Sequence, residues 1–200
     1  GVSHSWWTSK HNQHHATPNH IDKDPDIQIP FLAFSPEQAA GRPRILRPLM
    51  AIQAFIFVSL LPLQGVLARY ASIIHLVRQQ APERALQLVF MAAHFVLYGL
   101  LLIQFGSWEL ALAFVVVHQG VFGLYNSSVF ASNHKGMEII REEARLDFLQ
   151  EQVITSRNVR SHWLTDFWYG GLNYQIEHHL FPTMPRNNLR KAQQIVSAFC

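Results

Sequence analysis

Two histidine clusters near the ends of the chain are the residues best suited to chemistry. The segment KHNQHH places His11, His14 and His15 at relative positions zero, three and four, and YQIEHH repeats that spacing with a glutamine first. On a helix these positions share one face, so each triad can present its nitrogen atoms together. Neutral imidazole is the commonest metal ligand and suits iron, copper and zinc. We therefore predict two halves of a single metal centre, the second half being Gln175, His178 and His179.

A further histidine, His134, stands at the end of the last apolar segment, in ASNHKGMEII. From that position it can reach a metal held just above a membrane, so we predict that it is a ligand. The carboxylates of IDKDPDI have two open interpretations. They either hold ligating imidazoles through the second ring nitrogen or form a solvated loop. These residues are Asp22, Asp24 and Asp26.

Zinc is the rival metal. A structural zinc site needs four ligands, usually with thiolates, whereas this chain has twelve histidines and one cysteine, at its last residue. The Glu-x-x-His pairs of soluble di-iron bundles are absent, so an iron site here would be rich in nitrogen. The ligand count favours a site for two metal ions.

The composition points to a membrane. Of 200 residues, 49% are hydrophobic and only 14% are charged. The net charge of +3 comes from basic residues scattered around apolar segments, which favours lipid headgroups over nucleic acid as the partner. Residues 48–68 hold no charge, and residues 85–105 and 110–130 are nearly as apolar. Each stretch is long enough to span about 30 Å of hydrocarbon.

Three complete crossings would separate the two triads, so one stretch must not cross. Basic residues flank residues 48–68 on both sides, which predicts that both ends of this stretch are cytoplasmic. Pro62 and Gly65 interrupt it, so we expect an interfacial or re-entrant helix, provided that protein covers the freed backbone groups. The other two stretches are predicted to form a transmembrane hairpin around residues 105–109. Both triads then face the cytoplasm in an all-α, multi-pass membrane protein.

The motifs HNQHHATPN, NHKGME and LNYQIEHHLFPTMPRNNL resemble the second and third histidine boxes of membrane fatty acid desaturases. The glutamine that opens the third box is similar to that of the front-end subgroup, which acts at positions such as Δ5 or Δ6. The resemblance spans nearly the whole chain. It implies one partial desaturase domain over residues 1–200, with the second box in 1–47, membrane segments in 48–130 and the third-box cap in 131–200.

The resemblance also implies a cofactor and partners. Two iron ions would activate O2 and desaturate an acyl chain carried by coenzyme A or a lipid, with electrons from a cytochrome b or ferredoxin type of donor. The family's first histidine box has no counterpart here, because residues 1–10 contain only His4. We therefore expect an N-terminal truncation and an inactive fragment. The ligands implied are His11, His14, His15, His134, His178 and His179, with Gln175 bound directly or through water.

Two rival functions remain open at this stage. A membrane lipid hydroxylase can use the same kind of histidine-rich di-iron centre, and its product would carry an added hydroxyl group. A non-catalytic, metal-binding membrane subunit would fit the absent first box. Metal analysis and product analysis separate these alternatives.

Overall fold

All regular secondary structure is helical in the computed structural model, which describes residues 1–141 and 144–200. Within these ranges, extended pairing is limited to an isolated bridge between His20 and Ile140. The all-α prediction is confirmed for this part of the chain. The α-helices are α1 (His4–Ala16), α2 (Pro36–Gly41), α3 (Arg47–Ala51), α4 (Gln53–Leu60), α5 (Gln64–Arg78), α6 (Arg84–Ile103), α7 (Trp108–His134), α8 (Phe148–Thr155), α9 (Trp163–Tyr169), α10 (Gln175–Leu180) and α11 (Arg186–Phe199), with 3-10 turns at Arg44–Leu46 and Leu61–Leu63.

Three helical segments are long and apolar enough to cross a membrane. They are Gln53–Arg78, which comprises α4, a 3-10 turn and α5, then α6 and α7. Few residues in these segments are buried by other parts of the protein. The second and third segments agree with the predicted stretches 85–105 and 110–130. The first begins later than the predicted 48–68 and continues to Arg78.

The chain forms two compact units. The apolar unit contains residues 1–11 and 57–127. Its helix breaks at Pro62, as the sequence predicted, and the side chain of Ser127 donates a hydrogen bond of 3.0 Å to the carbonyl oxygen of Leu61. A Cβ added at Gly123 would collide with the carbonyl oxygen of Pro62. Glycine therefore lets α7 approach the broken helix, and Ser127 covers a backbone acceptor there.

Arg69 is a charged residue inside the first apolar segment. Its guanidinium donates to the side-chain oxygen of Gln119 at 2.6 Å and to the backbone oxygen of Gly65 at 2.9 Å. The same group lies 5.1 Å from the ring centroid of Phe122. These neutral partners satisfy hydrogen-bond donors of Arg69 within the apolar unit.

The cap unit contains residues 12–56 and 128–200. Among its described residues, more polar than apolar side chains are buried. Asp147 begins α8 with a capping box, because its carboxylate accepts from the N–H of Gln150 while the Gln150 side chain accepts from Asp147. Gly170 and Gly171 both have positive φ, at 56° and 88°, and make the turn that leads towards α10.

Candidate metal centre

Three elements of the cap unit bring histidines from distant parts of the sequence together. The C-terminal end of α1 carries His14 and His15, the last residue of α7 is His134, and α10 carries His178 and His179. His178 and His179 are consecutive residues of α10, a short helix that packs against α8 and α11. Of these five histidines, the described structure buries all but His178, which is partly exposed.

Three buried imidazoles converge on one point. His14, His134 and His179 each offer a nitrogen atom, and these atoms all lie within 4.8 Å of one another. The Nε2 atoms of His14 and His134 are 3.3 Å apart. Two ligands with bonds of about 2.1 Å at angles of about 90° to 109° would be roughly 3.0 to 3.4 Å apart. The observed separation is therefore suited to two nitrogen atoms on one metal ion.

The other ring nitrogen of each of these imidazoles has a hydrogen-bond acceptor. His14 Nδ1 lies 3.0 Å from both carboxylate oxygens of Asp24, and His134 Nδ1 lies 3.0 Å from the carbonyl oxygen of Thr155. His179 Nδ1 lies 2.8 Å from the side-chain oxygen of Gln152. Because these acceptors require N–H on Nδ1, a neutral ring in any of these positions presents its lone pair on Nε2. Facing lone pairs repel unless a cation lies between them.

His179 supplies an independent test of the fit to a metal. Its Nε2 atom is buried and has no hydrogen-bond partner in the described part of the chain. Burial, followed by the neighbouring histidines, lowers the pKa of His179 well below its ordinary value, so the ring is neutral at neutral pH. A buried, neutral imidazole with one fixed tautomer and an unshared lone pair is suited to ligation.

A second pair of imidazoles lies beside the first group. The Nε2 atoms of His15 and His178 are 3.2 Å apart, and the ring of His15 stacks on that of His179 with centroids 4.1 Å apart. His11 lies one turn before His15 on α1, and its ring stacks on Trp7 at 5.1 Å. The cap unit thus contains two adjacent pairs of facing nitrogen atoms.

Gln175 lies beside the first group and is 7% exposed. Its side-chain nitrogen donates to His134 Nε2 at 3.0 Å, while its oxygen accepts from the Asn133 side chain at 2.9 Å. Asn133 also donates to the backbone oxygen of Leu172 at 3.0 Å. In this arrangement Gln175 presents a donor rather than a carbonyl oxygen to the site, and it connects the end of α7 to the start of α10.

The aspartates of IDKDPDI differ from one another. Asp24 is fully buried and accepts from the backbone N–H groups of Asn19 and Asp26 at 2.7 and 2.8 Å, as well as from His14. A carboxylate oxygen of Asp26 lies 3.5 Å from His14 Nδ1, and Asp22 is exposed. Asp24 therefore orients His14, as one of the two sequence interpretations proposed, while Asp22 belongs to a solvated loop.

Sequence reasoning did not identify three residues that hold the site together. Asn19, with φ of 55°, donates from its side chain to the backbone oxygens of His134, Glu138 and Thr155 at 3.0 to 3.3 Å. The signal for Asn19 was the ATPN that follows the first triad. Gln152 joins the backbone oxygen of His15 to the ring of His179, and no sequence pattern marks it.

Asn158 is the third of these residues. Its side chain donates to a Glu177 carboxylate oxygen at 2.8 Å and accepts from the N–H of Ile176 at 3.0 Å. Glu177 is 1% exposed, so an orienting role suits it and a surface role does not. Burial raises the pKa of Glu177, and the bond from Asn158 opposes that change. Asn158 thus fixes the first turn of α10, which carries the third-box histidines.

Three helical segments apolar enough to cross a membrane, together with groups of buried histidines that could hold a metal ion, define the class as a helical membrane protein with a candidate metal centre. Within that class, the chain belongs to the fatty acid desaturase family, whose model matches residues 1–200. Over its whole length it is 32% identical to the Delta(6)-fatty-acid desaturase fat-3 of Caenorhabditis elegans and covers 48% of that protein. It is likewise 33% identical to the acyl-lipid (9-3)-desaturase of Physcomitrium patens and 31% identical to fatty acid desaturase 3 of Bos taurus, covering 39% and 45% of them.

The chain therefore spans about half the length of the curated relatives it matches. No solved structure matches it.

Proposed function

We propose that this chain carries most of the metal site of an oxygen-dependent fatty acyl desaturase. The observation that supports this most strongly is the convergence of His14, His134 and His179, each with its other ring nitrogen held by an acceptor. Membership of the desaturase family supports the same function. The names of several relatives specify positions such as Delta(6) and Delta(8), which favours front-end desaturation of the Δ5/Δ6 type.

The proposed cofactor is a pair of iron ions. His14, His134 and His179 would hold one ion, and His15 and His178 would contribute to the other together with His11. Such a ligand set is rich in imidazole, which suits iron and does not suit calcium or magnesium. When bound, the two ions would supply oxygen activation and removal of hydrogen from the acyl chain. We keep Gln175 as a ligand through water, because its side chain already contacts His134.

The residues of the chain perform the positioning. Asp24, Gln152 and the carbonyl group of Thr155 hold three imidazoles in the tautomer that directs Nε2 to one point. Asn19 and Asn158 fix the backbone segments that carry those acceptors and α10. This network reduces the reorganisation needed when metal binds, which is the general benefit of hydrogen bonds that support metal ligands.

The site also constrains the membrane arrangement. His14 precedes the three candidate spans and His134 ends the last one, yet their Nε2 atoms are 3.3 Å apart. This short distance supports a course in which both residues lie on the same side of a bilayer and an even number of segments crosses completely. We propose that Gln53–Arg78, broken at Leu61–Leu63, is re-entrant or interfacial, while α6 and α7 form the transmembrane hairpin.

The distribution of basic residues supports a cytoplasmic position for the proposed metal site. Arg42, Arg44 and Arg47 precede the first segment, Arg78 and Arg84 flank the next connection, and Lys135 follows α7. The substrate would be a fatty acyl chain on coenzyme A or a membrane lipid. A cytochrome b or ferredoxin type of protein would donate electrons at this face.

Expression of the full-length parent protein in a host that lacks such enzymes tests the proposed function. Polyunsaturated fatty acids are supplied, and total lipids are analysed by gas chromatography and mass spectrometry. We expect a new double bond between an existing one and the carboxyl end. His14→Ala and His179→Ala should abolish it at unchanged protein level, whereas His4→Ala, an exposed change on the same helix α1, should retain it.

Two other outcomes of this experiment would contradict the proposed desaturase function. Lipid that gains only a hydroxyl group would identify a hydroxylase. An unchanged lipid profile, despite bound iron and a competent electron donor, would exclude desaturation of the acyl chains supplied.

A further inference from the structure

Helix α9 exposes its apolar face and turns its polar face inward, which is the opposite of the arrangement expected for a helix on a water-soluble domain. Its sequence, WLTDFWY, places four large apolar side chains on one broad face. That face points away from the cap unit: Trp163 is 72% exposed, Phe167 is 78% exposed, and Leu164 and Trp168 are 50% and 43% exposed. A helix that faces water normally turns its apolar side towards the protein.

The polar face of α9 points inward instead. Asp166 accepts hydrogen bonds from Asn173 at 2.7 Å and from Ser161 at 3.1 and 3.2 Å. Thr165 donates to the backbone oxygens of Arg160 and His162, both at 2.9 Å. The helix is thus anchored by polar contacts that fix its rotation. These hydrogen bonds of Asp166 and Thr165 therefore turn the aromatic rings outward, and loose packing is not the cause.

Two hydrogen bonds fix the level of α9 along α7. The indole N–H of Trp168 donates to the Ser128 side chain at 2.9 Å, and the Tyr169 hydroxyl lies 2.9 Å from that of Ser132. Both serines lie within the candidate membrane span Trp108–His134. At a rise of 1.5 Å per residue, Ser128 is about 9 Å from the His134 end of that helix.

A basic residue lies at the same end of α7. Arg157 donates to the backbone oxygens of Ser132 and Lys135 at 2.6 and 2.7 Å and is exposed. Arg160 and His162, which lead into α9, are exposed as well. Exposed aromatic rings close in sequence to exposed cationic side chains are typical of the boundary between acyl chains and anionic headgroups.

We propose that α9 is an interfacial membrane anchor, with Trp163, Leu164 and Phe167 inserted among the lipids of the leaflet nearest the metal site. Interfacial helices bury their apolar faces about 5 to 10 Å into this region, which agrees with the 9 Å offset. The anchor holds the cap unit, and with it His134, at a fixed height above the lipid. This inference rests on the transmembrane course of α7 given under the proposed function.

The test measures lipid exposure directly in the full-length protein reconstituted in vesicles of phosphatidylcholine with anionic phosphatidylserine. Native cysteines are replaced, a nitroxide is attached at Trp163→Cys or Phe167→Cys, and its collision rates with oxygen and with a water-soluble nickel chelate are compared. Asp22→Cys, on the exposed loop of the cap unit, serves as the aqueous control. Val116→Cys, an exposed position on α7, serves as the control for the hydrocarbon region.

We expect both α9 positions to have an oxygen-to-nickel ratio several-fold above that of Asp22→Cys and below that of Val116→Cys. Nickel access equal to that of Asp22→Cys would overturn the anchor. Poor access to both reagents would also overturn it, because another protein segment would then cover α9. If the nitroxide at Val116→Cys collides readily with the nickel chelate, the proposed membrane course of α7 is wrong. This outcome differs from one in which only the α9 positions are accessible to nickel.

Discussion

The cap unit and the apolar unit bury polar groups in different ways. In the cap unit, Asp24, Gln152 and Asn19 each make several hydrogen bonds within a dense network around the histidines. In the apolar unit, large apolar side chains are exposed, and polar contacts such as that between Arg69 and Gln119 lie where helices meet. The difference indicates that the stability of the cap unit depends on hydrogen bonds that satisfy its buried polar groups. The stability of the apolar unit depends instead on the close approach of helix backbones and on contact with lipid.

The largest effect should come from Asp24, because its buried carboxylate accepts hydrogen bonds from three donors. Asp24→Leu leaves His14 and two backbone N–H groups without their acceptor, and each unsatisfied group costs about 1 to 3 kcal/mol. We expect loss of bound iron and a clear fall in thermal stability of the full-length protein, measured by elemental analysis and calorimetry. Asp24→Asn, which keeps one oxygen, should lose less. Full iron content in Asp24→Leu would refute the orienting role.

Gln152 should affect the metal more than the fold. Gln152→Leu removes the acceptor of His179 Nδ1, and loss of such a supporting bond typically weakens metal affinity about 10- to 100-fold. Competition with a chromophoric chelator would measure this change. Gln152→Glu keeps an acceptor and should retain more iron, while Gln194→Leu, at an exposed position of α11, should match the unmodified protein. Equal affinity in Gln152→Leu and Gln194→Leu would show that His179 needs no support from Gln152.

The stability of the apolar unit should be more sensitive to an increase in side-chain size at a helix contact than to the loss of a polar group. Gly123→Ala forces a methyl group against the carbonyl oxygen of Pro62, and overpacking of this kind costs about 1 to 3 kcal/mol. Gly120→Ala is the matched control, because a Cβ there meets no atom within 4 Å. Thermal unfolding in detergent should separate the two variants. Identical melting temperatures would mean that α7 can move away from Pro62 at little cost.

The smallest effect is expected for Ser127→Ala. This change removes one hydrogen bond, to the carbonyl oxygen of Leu61, and such bonds between membrane helices average about 0.6 kcal/mol. A double variant, Ser127→Ala with Gly123→Ala, would show whether the two contacts at the break act together. A loss of stability in Ser127→Ala that exceeds the loss in Gly123→Ala would contradict the view that close approach of the helices dominates in this unit.

The sequence was most informative where a pattern coincides with chemistry. The repeated spacing of histidines identified His14 and His179, and the position of His134 after an apolar stretch placed it near them. The structure brings all three together. Asp24 was foreseen as one of two interpretations, because carboxylates commonly support imidazole ligands. The assignment of these residues as iron ligands stays a prediction.

Other features could not be read from the sequence. The acceptors of His134 and His179 are a backbone carbonyl and a glutamine, which follow no ligand spacing and depend on tertiary contacts. The first apolar segment extends past Arg69 to Arg78, because Arg69 finds neutral acceptors that a count of charges does not reveal. The outward aromatic face of α9 likewise depends on which side Asp166 finds its partners.

The central claim is that His14, His134 and His179 hold one iron ion through nitrogen. X-ray absorption at the iron edge of the purified full-length protein, with iron and zinc quantified on the same sample, tests it most directly. We expect a first shell dominated by nitrogen and oxygen, about two iron ions per chain from the proposed pair of sites, and loss of iron in His179→Ala but not in His4→Ala. Zinc in place of iron, or an unchanged iron shell in His179→Ala, would contradict this assignment.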